Sequence, residues 1–349
     1  MKTLRYITDS SAVLIHTPVN RRYLTGFSSS LGYLLMTSKG NTLFVDGRYF
    51  EAAEKFAVDT RVVLSNSVFE QINAVIKEQG VKKLLIETET EYAFYKLIKT
   101  KLDVKVVPSK PLSDKLLGLR SVKKREETAS IVAAQRIAEK AFEDVLNFIK
   151  PGVTEREIAA LLDYKMKLYG AEGIAFETIA VSGTNTSMPH GTPTDKKVTE
   201  GDFVTMDFGA VINGYCSDMT RTVAVGYVTD EMERVYNTVL KAQENVIKTV
   251  KAGVLCKDAD AAARDIIKDA GYGEFFSHST GHGVGLQIHE KPNLSLTAGD
   301  IKLRAGQIVT DEPGIYLPGK FGVRIEDMLL VRNNDCKILT KTPKHLIIL

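Results

Sequence analysis

The sequence is poor in residues that mark several classes of protein. Its 349 residues include no tryptophan, three cysteines and six histidines. The cysteines, Cys216, Cys256 and Cys336, are odd in number and widely spaced, so they fit neither a disulfide framework nor a zinc knuckle. A reducing cytoplasm is therefore the expected location.

The chain also lacks the charge and the apolar runs that indicate a nucleic-acid or membrane partner. Forty-six basic and 43 acidic residues give a net charge of +3, which is too small to imply either surface. No apolar run reaches the roughly 20 residues that span a bilayer. The first residues lack a long apolar core and a small-residue cleavage site, so no signal peptide is expected. The short run Lys123-Lys124-Arg125 opens a helix and is predicted to lie on a solvated face.

Strand and helix signals predict an α/β (α+β) protein with two domains, residues 1–118 and 119–349. A chain of 349 residues is long enough for two hydrophobic cores. In the first domain, short β-branched segments alternate with segments of helical apolar spacing. The predicted strands are 12–15, 61–64, 83–86 and 104–107, a hairpin spans 32–44, and the predicted helices are 68–78 and 92–102.

No recognisable catalytic set falls in the first domain. Residues 46–49, Asp-Gly-Arg-Tyr, are compatible with a contact to substrate or to the other domain, and equally with a turn closed by a surface salt bridge. The pattern changes around 113–125, and a long helix with one apolar stripe is predicted over about 126–149. The next helix begins at Thr154 with a capping-box pattern and ends at Gly170.

The second domain contains an internal repeat. Residues 149–153 recur as 250–254, and the helix that follows each copy ends in a glycine. Further on, residues 201–209 align with residues 306–314. A duplication explains both matches, and it predicts two halves related by a pseudo-two-fold axis.

Each half carries two acidic residues on a predicted hairpin. The alignment places Glu312 on Asp207, and a turn and a second strand follow each of them. The second strand bears Asp218 in the first copy and Glu326 in the second. The duplication therefore predicts four carboxylates that converge on a shared centre. Such a group needs positive charge to lie together, and hard divalent cations supply it.

The first hairpin turns at Asn213-Gly214, a strong signal for a type I′ turn. A two-residue turn pairs Asp207 with Thr220 and places Asp218 on the same face as Asp207, along the diagonal. Diagonal neighbours lie roughly 7–8 Å apart. Two aspartates at that distance can share a cation, whereas the alternative is a pair of solvated surface side chains. Tyr215 and Thr220 are predicted to lie behind the carboxylates.

An imidazole would complete a ligand set of transition-metal type. His282 lies between glycines in GHGVG, and glycines let backbone and ligand approach closely. His190 and His289 flank the same region, whereas the remaining histidines are assigned to ordinary core or surface positions. Those remaining histidines are His16, His278 and His345. The sequence contains no HExxH, CxxC pair, GxSxG elbow or P-loop, and GHGVG has the wrong spacing for a dinucleotide-binding motif.

Five residues in this order, with their flanking segments, resemble the metal ligands of the creatinase/prolidase/methionine-aminopeptidase ("pita-bread", M24) family. They are Asp207, Asp218, His282, Glu312 and Glu326. The flanks SMPHGTPTDK, GHGVGLQIHEKP, DEPGIY and GVRIED resemble the Xaa-Pro peptidase branch, which comprises prolidase and aminopeptidase P. The resemblance covers about 120–349, and the first domain resembles the creatinase-like N-terminal domain of the same branch.

The resemblance implies a metallopeptidase that hydrolyses the peptide bond before proline through a hydroxide bridging two divalent ions per subunit. Mn²⁺ is favoured, and Co²⁺, Zn²⁺ or Fe²⁺ fit the same ligands. Glu312 is then the general base, and His190 and His289 hold substrate or stabilise the oxyanion. Arg324 is expected to bind a substrate carboxylate, the alternative being a partner of Glu326 or Asp327. Proline-containing dipeptides or short peptides are the implied substrates, and a homodimer is the implied assembly.

Four alternatives stay open at this stage. The first is an aminopeptidase P that acts on longer peptides, although the short chain favours a compact prolidase. The second, of another class, is a catalytically inactive peptide- or protein-binding module on the same fold, against which the complete ligand set argues. Creatinase-like hydrolysis without metal would leave the four carboxylates unexplained. A methionine aminopeptidase usually lacks an N-terminal domain of this size.

Overall fold

A computed structural model describes residues 6–349 of the chain. The described residues form two compact units, the first ending at Arg120 and the second spanning Ser121–Leu349. Residues 1–5, which begin the predicted first domain and the segment without signal-peptide features, lie outside the described residues. The predicted α/β class is confirmed, whereas the domain bounds 1–118 and 119–349 stay a prediction. Among residues 6–349, no helix has both the length and the apolar composition needed to cross a membrane.

The first unit is built on a six-stranded mixed sheet with the order β4-β3-β2-β1-β5-β6. The strands β1–β3 are antiparallel neighbours, and β4, β5 and β6 join by parallel pairing. All the predicted strands are present. Their bounds are Ser11–Ile15 (β1), Tyr33–Thr37 (β2), Gly40–Val45 (β3), Arg61–Leu64 (β4), Lys83–Ile86 (β5) and Lys105–Pro108 (β6).

Helices pack against this sheet, and sequence analysis found only two of them. Helices of seven or eight residues show about two turns of apolar spacing, which is too little for a clear periodic signal. The helices are Pro18–Thr25 (α1), Phe50–Phe56 (α2), Val68–Glu78 (α3), Tyr92–Lys101 (α4) and Lys110–Ser121 (α5). In the 46–49 turn, Arg48 Nη2 lies 2.7 Å from Asp46 Oδ2 and both side chains are partly or largely exposed, as in the salt-bridged alternative.

The second unit contains two copies of one arrangement, in which two helices precede a set of antiparallel strands. The first copy comprises Arg125–Leu146 (α6), Glu155–Leu168 (α7), Gly173–Ile174 (β7), Ile179–Ser182 (β8), Phe203–Phe208 (β9), Ala210–Ile212 (β10), Tyr215–Cys216 (β11) and Met219–Ala224 (β12). The second comprises Asp230–Thr249 (α8), Cys256–Asp269 (α9), Gly281–Gly283 (β13), Glu290–Leu294 (β14), Ile308–Asp311 (β15), Gly314–Leu317 (β16), Phe321–Arg324 (β17), Asp327–Val331 (β18) and Cys336–Ile338 (β19).

The strand order shows how the copies correspond. The central strand β9 lies between β8 and β12, and β15 lies between β13 and β18. At the ends of these pairs, β10 pairs with β11 and β16 pairs with β17. Each copy has its own buried apolar core between its helices and its strands, one around Phe142 and Phe208 and the other around Val239 and Val309. The predicted duplication is therefore present in the fold.

Register and helix ends agree with most of the sequence predictions. Asp207 lies opposite Thr220, and positive φ angles at Asn213 (50°) and Gly214 (72°) form the predicted type I′ turn. The stripe of α6 is buried, but the helix ends at Leu146 rather than 149, because the chain turns before Pro151, which has no N–H to continue it. Helix α7 ends before Gly170, whose φ of 100° suits glycine.

The prediction of a solvated face for the Lys123 run is wrong at Lys123 itself. This residue is 7% exposed, and its Nζ lies 3.2 Å from Glu290 Oε2, which is equally buried. Lys123 N donates to Gly306 O, so Lys123 lies against the second copy, whereas Lys124 and Arg125 are exposed as predicted. A basic run shows its charge in the sequence but not the distant carboxylate that compensates it.

One buried acidic residue of the second copy lacks hydrogen-bond partners within residues 6–349. Asp311 lies opposite Asp327 in the β15–β18 pair and is fully buried. Its two carboxylate oxygens accept no hydrogen bond from any side chain or backbone group of residues 6–349. Burial raises the pKa of Asp311 well above its usual value, and the charge of Asp327 raises it further.

Replacing Asp311 should therefore stabilise the protein. A raised native-state pKa gives stability that is present below the unfolded-state pKa and lost as pH rises. We expect Asp311→Asn to raise the unfolding free energy at pH 8 by about 1 kcal/mol or more, with a smaller gain near pH 4.5. Thermal unfolding of metal-free protein at both pH values measures this. Asp327→Asn is the control and should destabilise, because Asp327 pairs with Arg221 at 2.7 Å. An unchanged or lower midpoint for Asp311→Asn at pH 8 would contradict the expectation.

Candidate active site

The strands of both copies place the predicted acidic residues in one region. Asp207 is the penultimate residue of β9, and Asp218 precedes β12 on the adjoining chain. Glu312 follows β15, and Glu326 precedes β18, the equivalent positions of the second copy. Strand ends from two pseudo-symmetric hairpins therefore meet, as the duplication predicts.

His282, in β13, joins this group. Ligand atoms of Asp218, His282 and Glu326 all lie within 4.8 Å of one another. His282 Nε2 is 3.4 Å from Glu312 Oε1 and 3.6 Å from Asp218 Oδ2. Glycines on both sides of His282 are required for steric reasons, since a Cβ on Gly281 would lie 2.1 Å from the Thr310 carbonyl oxygen. Only glycine permits β13 to pack this closely against β15.

The carboxylates carry unfavourable electrostatics. Burial raises the pKa of Asp218 well above its usual value, and the charges of Glu326, Asp207 and Glu312 raise it further. Burial likewise raises the pKa of Glu326 well above its usual value, with Glu312 and Asp207 adding to the effect. Burial also raises the pKa of Glu312 to about 8, although the positive charge of Arg324 opposes the shift. Burial lowers the pKa of His282 to about 4, so its imidazole is neutral and available as a ligand at neutral pH.

Arg324 is held by the first copy. Its Nη2 donates to Asp207 Oδ2 at 2.7 Å, its Nε donates to Thr220 Oγ1 at 3.1 Å, and its Nη1 donates to Tyr316 Oη at 2.9 Å. Asp207 is the direct carboxylate partner of Arg324. Arg324 also reaches Glu326 through Thr220, whose Oγ1 accepts from Arg324 Nε and donates to Glu326, in line with the alternative assignment to Glu326. A role for Arg324 in binding a substrate carboxylate stays a prediction.

Thr220 supports the acidic group as its position predicted, whereas Tyr215 does not. Thr220 Oγ1 donates to Glu326 Oε2 at 2.7 Å. Tyr215 is half-buried and packs in a small apolar cluster with Ile131 and Val284. The predicted supporting role of Tyr215 therefore stays a prediction.

A pocket of about 230 Å³ opens beside the acidic group. Its lining includes Asp207, His282 and Glu312, and both predicted flanking histidines, His190 and His289. These two imidazoles are exposed, and the ring centroid of His289 lies 4.4 Å from that of His282. The structure thus brings the predicted site residues together, and their individual roles stay predictions.

One pocket histidine was missed from the sequence. His278 lines the pocket, contrary to its assignment as an ordinary core or surface histidine, and its Nε2 is 2.8 Å from Tyr316 Oη. Burial lowers the pKa of His278 to about 4, and the charge of Arg324 lowers it further, so the ring is neutral. The only local signal was the short distance between His278 and His282 in the sequence, because the chain bends before β13 and strand alternation does not extend to His278. His16 and His345 agree with their assignment as ordinary core or surface histidines: His16 lies 3.3 Å from Glu87, and His345 is exposed.

Buried acidic side chains hold the segments that carry the histidines. Asp260 of α9 accepts hydrogen bonds from Thr280 N at 3.0 Å and Thr280 Oγ1 at 2.9 Å, just before His282. Glu290 follows His289, and its Oε1 accepts from Gln287 N at 3.2 Å while its Oε2 pairs with Lys123. These contacts fix the backbone on both sides of the imidazoles.

The side chains fit a divalent cation. Asp207 Oδ1 is buried and accepts no hydrogen bond within residues 6–349, so one ligand atom lacks a partner. Carboxylate oxygens with one imidazole nitrogen are suitable donors for Mn²⁺, Fe²⁺, Co²⁺ or Zn²⁺. A cation would also remove the repulsion that raises the pKa values of Asp218, Glu312 and Glu326. A buried set of this composition defines a metal-dependent enzyme.

Comparison with known proteins identifies the class. Residues 129–333 match the model of metallopeptidase family M24, and residues 8–122 match the creatinase/prolidase N-terminal domain. The chain belongs to metallopeptidase family M24.

Individual relatives are similar over nearly the whole chain. A Xaa-Pro dipeptidase of Pyrococcus horikoshii is 39% identical over 350 residues, with 99% of this chain and 97% of the relative covered. The structure of a Xaa-Pro dipeptidase from Bacillus anthracis has 41% identity and a TM-score of 0.93, with 97% and 95% covered. That of an X-Pro aminopeptidase from Thermotoga maritima has 37% identity and a TM-score of 0.91, with 97% of each chain covered.

Metal binding at pH 7 should release protons. Glu312, with a pKa of about 8, holds a proton at pH 7 in the metal-free protein, and a cation must displace it. The raised pKa values of Asp218 and Glu326 favour further proton retention in the same group. We expect release of about one proton or more per chain, measured by titration calorimetry with Mn²⁺ in two buffers of different ionisation enthalpy. Glu312→Gln should release fewer protons. A binding heat that does not depend on the buffer would contradict this electrostatic account.

Proposed function

We propose that this protein is a Xaa-Pro dipeptidase that hydrolyses the bond before proline. The observation that carries the proposal is the convergence of Asp218, His282 and Glu326, with ligand atoms within 4.8 Å, next to a small pocket. Similarity to Xaa-Pro dipeptidases over nearly the full chain supports the same reaction. Retention of every predicted ligand argues against an inactive binding module.

We further propose that Asp207, Asp218, His282, Glu312 and Glu326 hold two divalent ions, with Mn²⁺ favoured. Bound divalent ions polarise a carbonyl group and lower the pKa of water, which is the chemistry that amide hydrolysis requires. A cytoplasmic location is part of the proposal, supported by the small number and wide spacing of the cysteines. A homodimer is also proposed, supported by resemblance to the family.

The side chains around the pocket then divide the remaining tasks. Glu312 faces the pocket and is placed to take a proton from the attacking water and pass it to the leaving proline nitrogen. His190 and His289, exposed at the pocket, donate hydrogen bonds to the carbonyl oxygen as it gains charge. Arg324 neutralises part of the negative charge of Asp207 and keeps that side chain in place. The nitrogen of the bond before proline carries no hydrogen. The pocket therefore needs room for the proline ring but no hydrogen-bond acceptor facing that nitrogen.

The second candidate is an aminopeptidase P. The Thermotoga maritima X-Pro aminopeptidase is almost as similar as the dipeptidases, so overall similarity does not separate the two. The size of the pocket favours the dipeptidase. Its 230 Å³ lies below the roughly 300–1,000 Å³ of typical small-molecule sites, as suits a two-residue substrate.

Hydrolysis of Ala-Pro and Ala-Pro-Ala by Mn²⁺-reconstituted protein tests the proposed specificity. We expect kcat/KM for Ala-Pro to exceed that for Ala-Pro-Ala by about tenfold or more, which is at least 1.4 kcal/mol of discrimination. Ala-Ala serves as the control and should not be cleaved at a comparable rate. A preference for Ala-Pro-Ala would establish the aminopeptidase instead, and cleavage of neither would reject both candidates.

Asp207→Asn tests the ligand assignment. The variant removes a charged donor, so we expect loss of at least one metal ion per chain and of nearly all activity, about 10³-fold in kcat. Elemental analysis and the Ala-Pro assay measure the two effects. Asp195→Asn, an exposed aspartate paired with Arg156, is the control and should keep both properties. Unchanged metal content with full turnover in Asp207→Asn would remove Asp207 from the site.

A further inference from the structure

The loop that carries His190 depends on one buried carboxylate. We infer that Glu155 is a positioning residue that sets the place of His190 in the pocket by holding both ends of this loop. The inference rests on the proposed function, because it concerns an imidazole that is proposed to act on the substrate.

Glu155 is the first residue of α7 and is fully buried. At the start of the loop, its Oε1 accepts from Ser182 N at 2.7 Å, from Ser182 Oγ at 3.0 Å and from Asn185 Nδ2 at 3.0 Å. At the other end, its Oε2 accepts from Thr194 N at 2.9 Å and from Thr194 Oγ1 at 2.6 Å. One carboxylate therefore holds the two ends of the 183–193 segment together, and His190 lies within that segment.

The far side of the loop rests on the second copy of the fold. Gly322 N donates to Thr186 Oγ1 at 2.8 Å, and Arg324 Nη1 donates to Pro189 O at 3.3 Å. The approach is close, because a Cβ on Gly322 would lie 2.2 Å from the Thr186 carbonyl oxygen. These contacts reach the middle of the loop, whereas its ends meet at Glu155. Since the His190 ring is exposed, the backbone of the loop largely determines where it lies.

The charge of Glu155 is essential to this arrangement. A buried carboxylate is tolerated only when hydrogen bonds replace its hydration, and five donors from the two loop ends surround this one. Charge-assisted hydrogen bonds are about twice as strong as neutral ones. Glutamine at this position keeps the shape of the side chain but replaces one acceptor oxygen with an NH₂ group. This group cannot accept hydrogen bonds from the donors of the loop end that it faces. That end should then detach while α7 keeps its length.

The chain offers a matched control on the same helical turn. Glu157 is exposed and accepts hydrogen bonds from Thr154 N and Thr154 Oγ1, both at 2.8 Å, as the capping-box acid of α7. Glu157→Gln perturbs the start of α7 as Glu155→Gln does, but no hydrogen bond joins Glu157 to the loop. A difference between the two variants therefore reports the hydrogen bonds of Glu155 to the loop, separately from any general weakening of the helix.

Hydrogen exchange of metal-free protein gives a readout independent of activity. We expect Glu155→Gln to raise the exchange rate of the amides in 183–194 by tenfold or more, and Glu157→Gln to leave them within about twofold. Equal exchange in Glu155→Gln and the unaltered protein would overturn the inference. So would equal increases in both variants.

A double-mutant cycle on Ala-Pro hydrolysis tests the path through His190. Misplacement of a reacting group by about 1 Å lowers rates by up to 10²-fold, so we expect Glu155→Gln to reduce kcat 10- to 100-fold with little change in KM or metal content. In a His190→Ala background, the same substitution should reduce kcat less than threefold. If the losses of kcat in the two single variants multiply in the double variant, the inference is overturned. It is also overturned if His190→Ala has the same kcat as the unaltered protein. Absence of Ala-Pro hydrolysis in the unaltered protein would instead reject the proposed function, while the exchange measurement still decides whether Glu155 holds the loop.

Discussion

Repulsion between buried carboxylates is the constraint that the second unit must satisfy. Asp218, Glu312 and Glu326 all have raised pKa values, and burial is the largest cause in each case. Neighbouring like charges add to this effect, so the group cannot be fully ionised without a compensating cation. The site is therefore unstable as an empty anionic cluster, and metal binding, proton loss and local stability are linked.

The fold meets this constraint by distributing the acids over rigid strands. Residues that alternate along a strand point to opposite faces, so Glu326 and Asp327, although adjacent, serve different environments. Glu326 accepts from Thr220 at the site, whereas Asp327 pairs with Arg221 at 2.7 Å and with Lys344 at 3.1 Å. Asp311 is the exception, since its carboxylate accepts no hydrogen bond within residues 6–349 and the charge of Lys344 only partly offsets its raised pKa. Adjacent residues such as Glu326 and Asp327 therefore serve different roles, one at the site and the other in an ion pair of the protein core.

Duplication explains why four carboxylates meet. The differences between the copies explain which histidines surround them. The copies contribute equivalent strand pairs, β9–β12 and β15–β18, with acids at matching ends. The second copy adds His282 and His289, and the first adds the loop with His190, which Glu155 holds at both ends. Imidazoles therefore approach the carboxylates from both copies, and each is supported by a buried acidic side chain behind it.

Local signals in the sequence were sufficient for much of this protein. The strands of the first unit, the turn at Asn213-Gly214 and the register of Asp207 with Thr220 follow from short-range patterns, because turn chemistry and alternation act between near neighbours. The duplication followed from repeated segments and located the acids, whereas His282 was identified from its flanking glycines and the family resemblance. Tertiary structure alone decided which distant polar side chains pair: Arg324 with Asp207, Lys123 with Glu290, and His278 with Tyr316 at the pocket. Such partners are far apart in the chain, and the charge of one carries no information about the position of the other until the cores have packed.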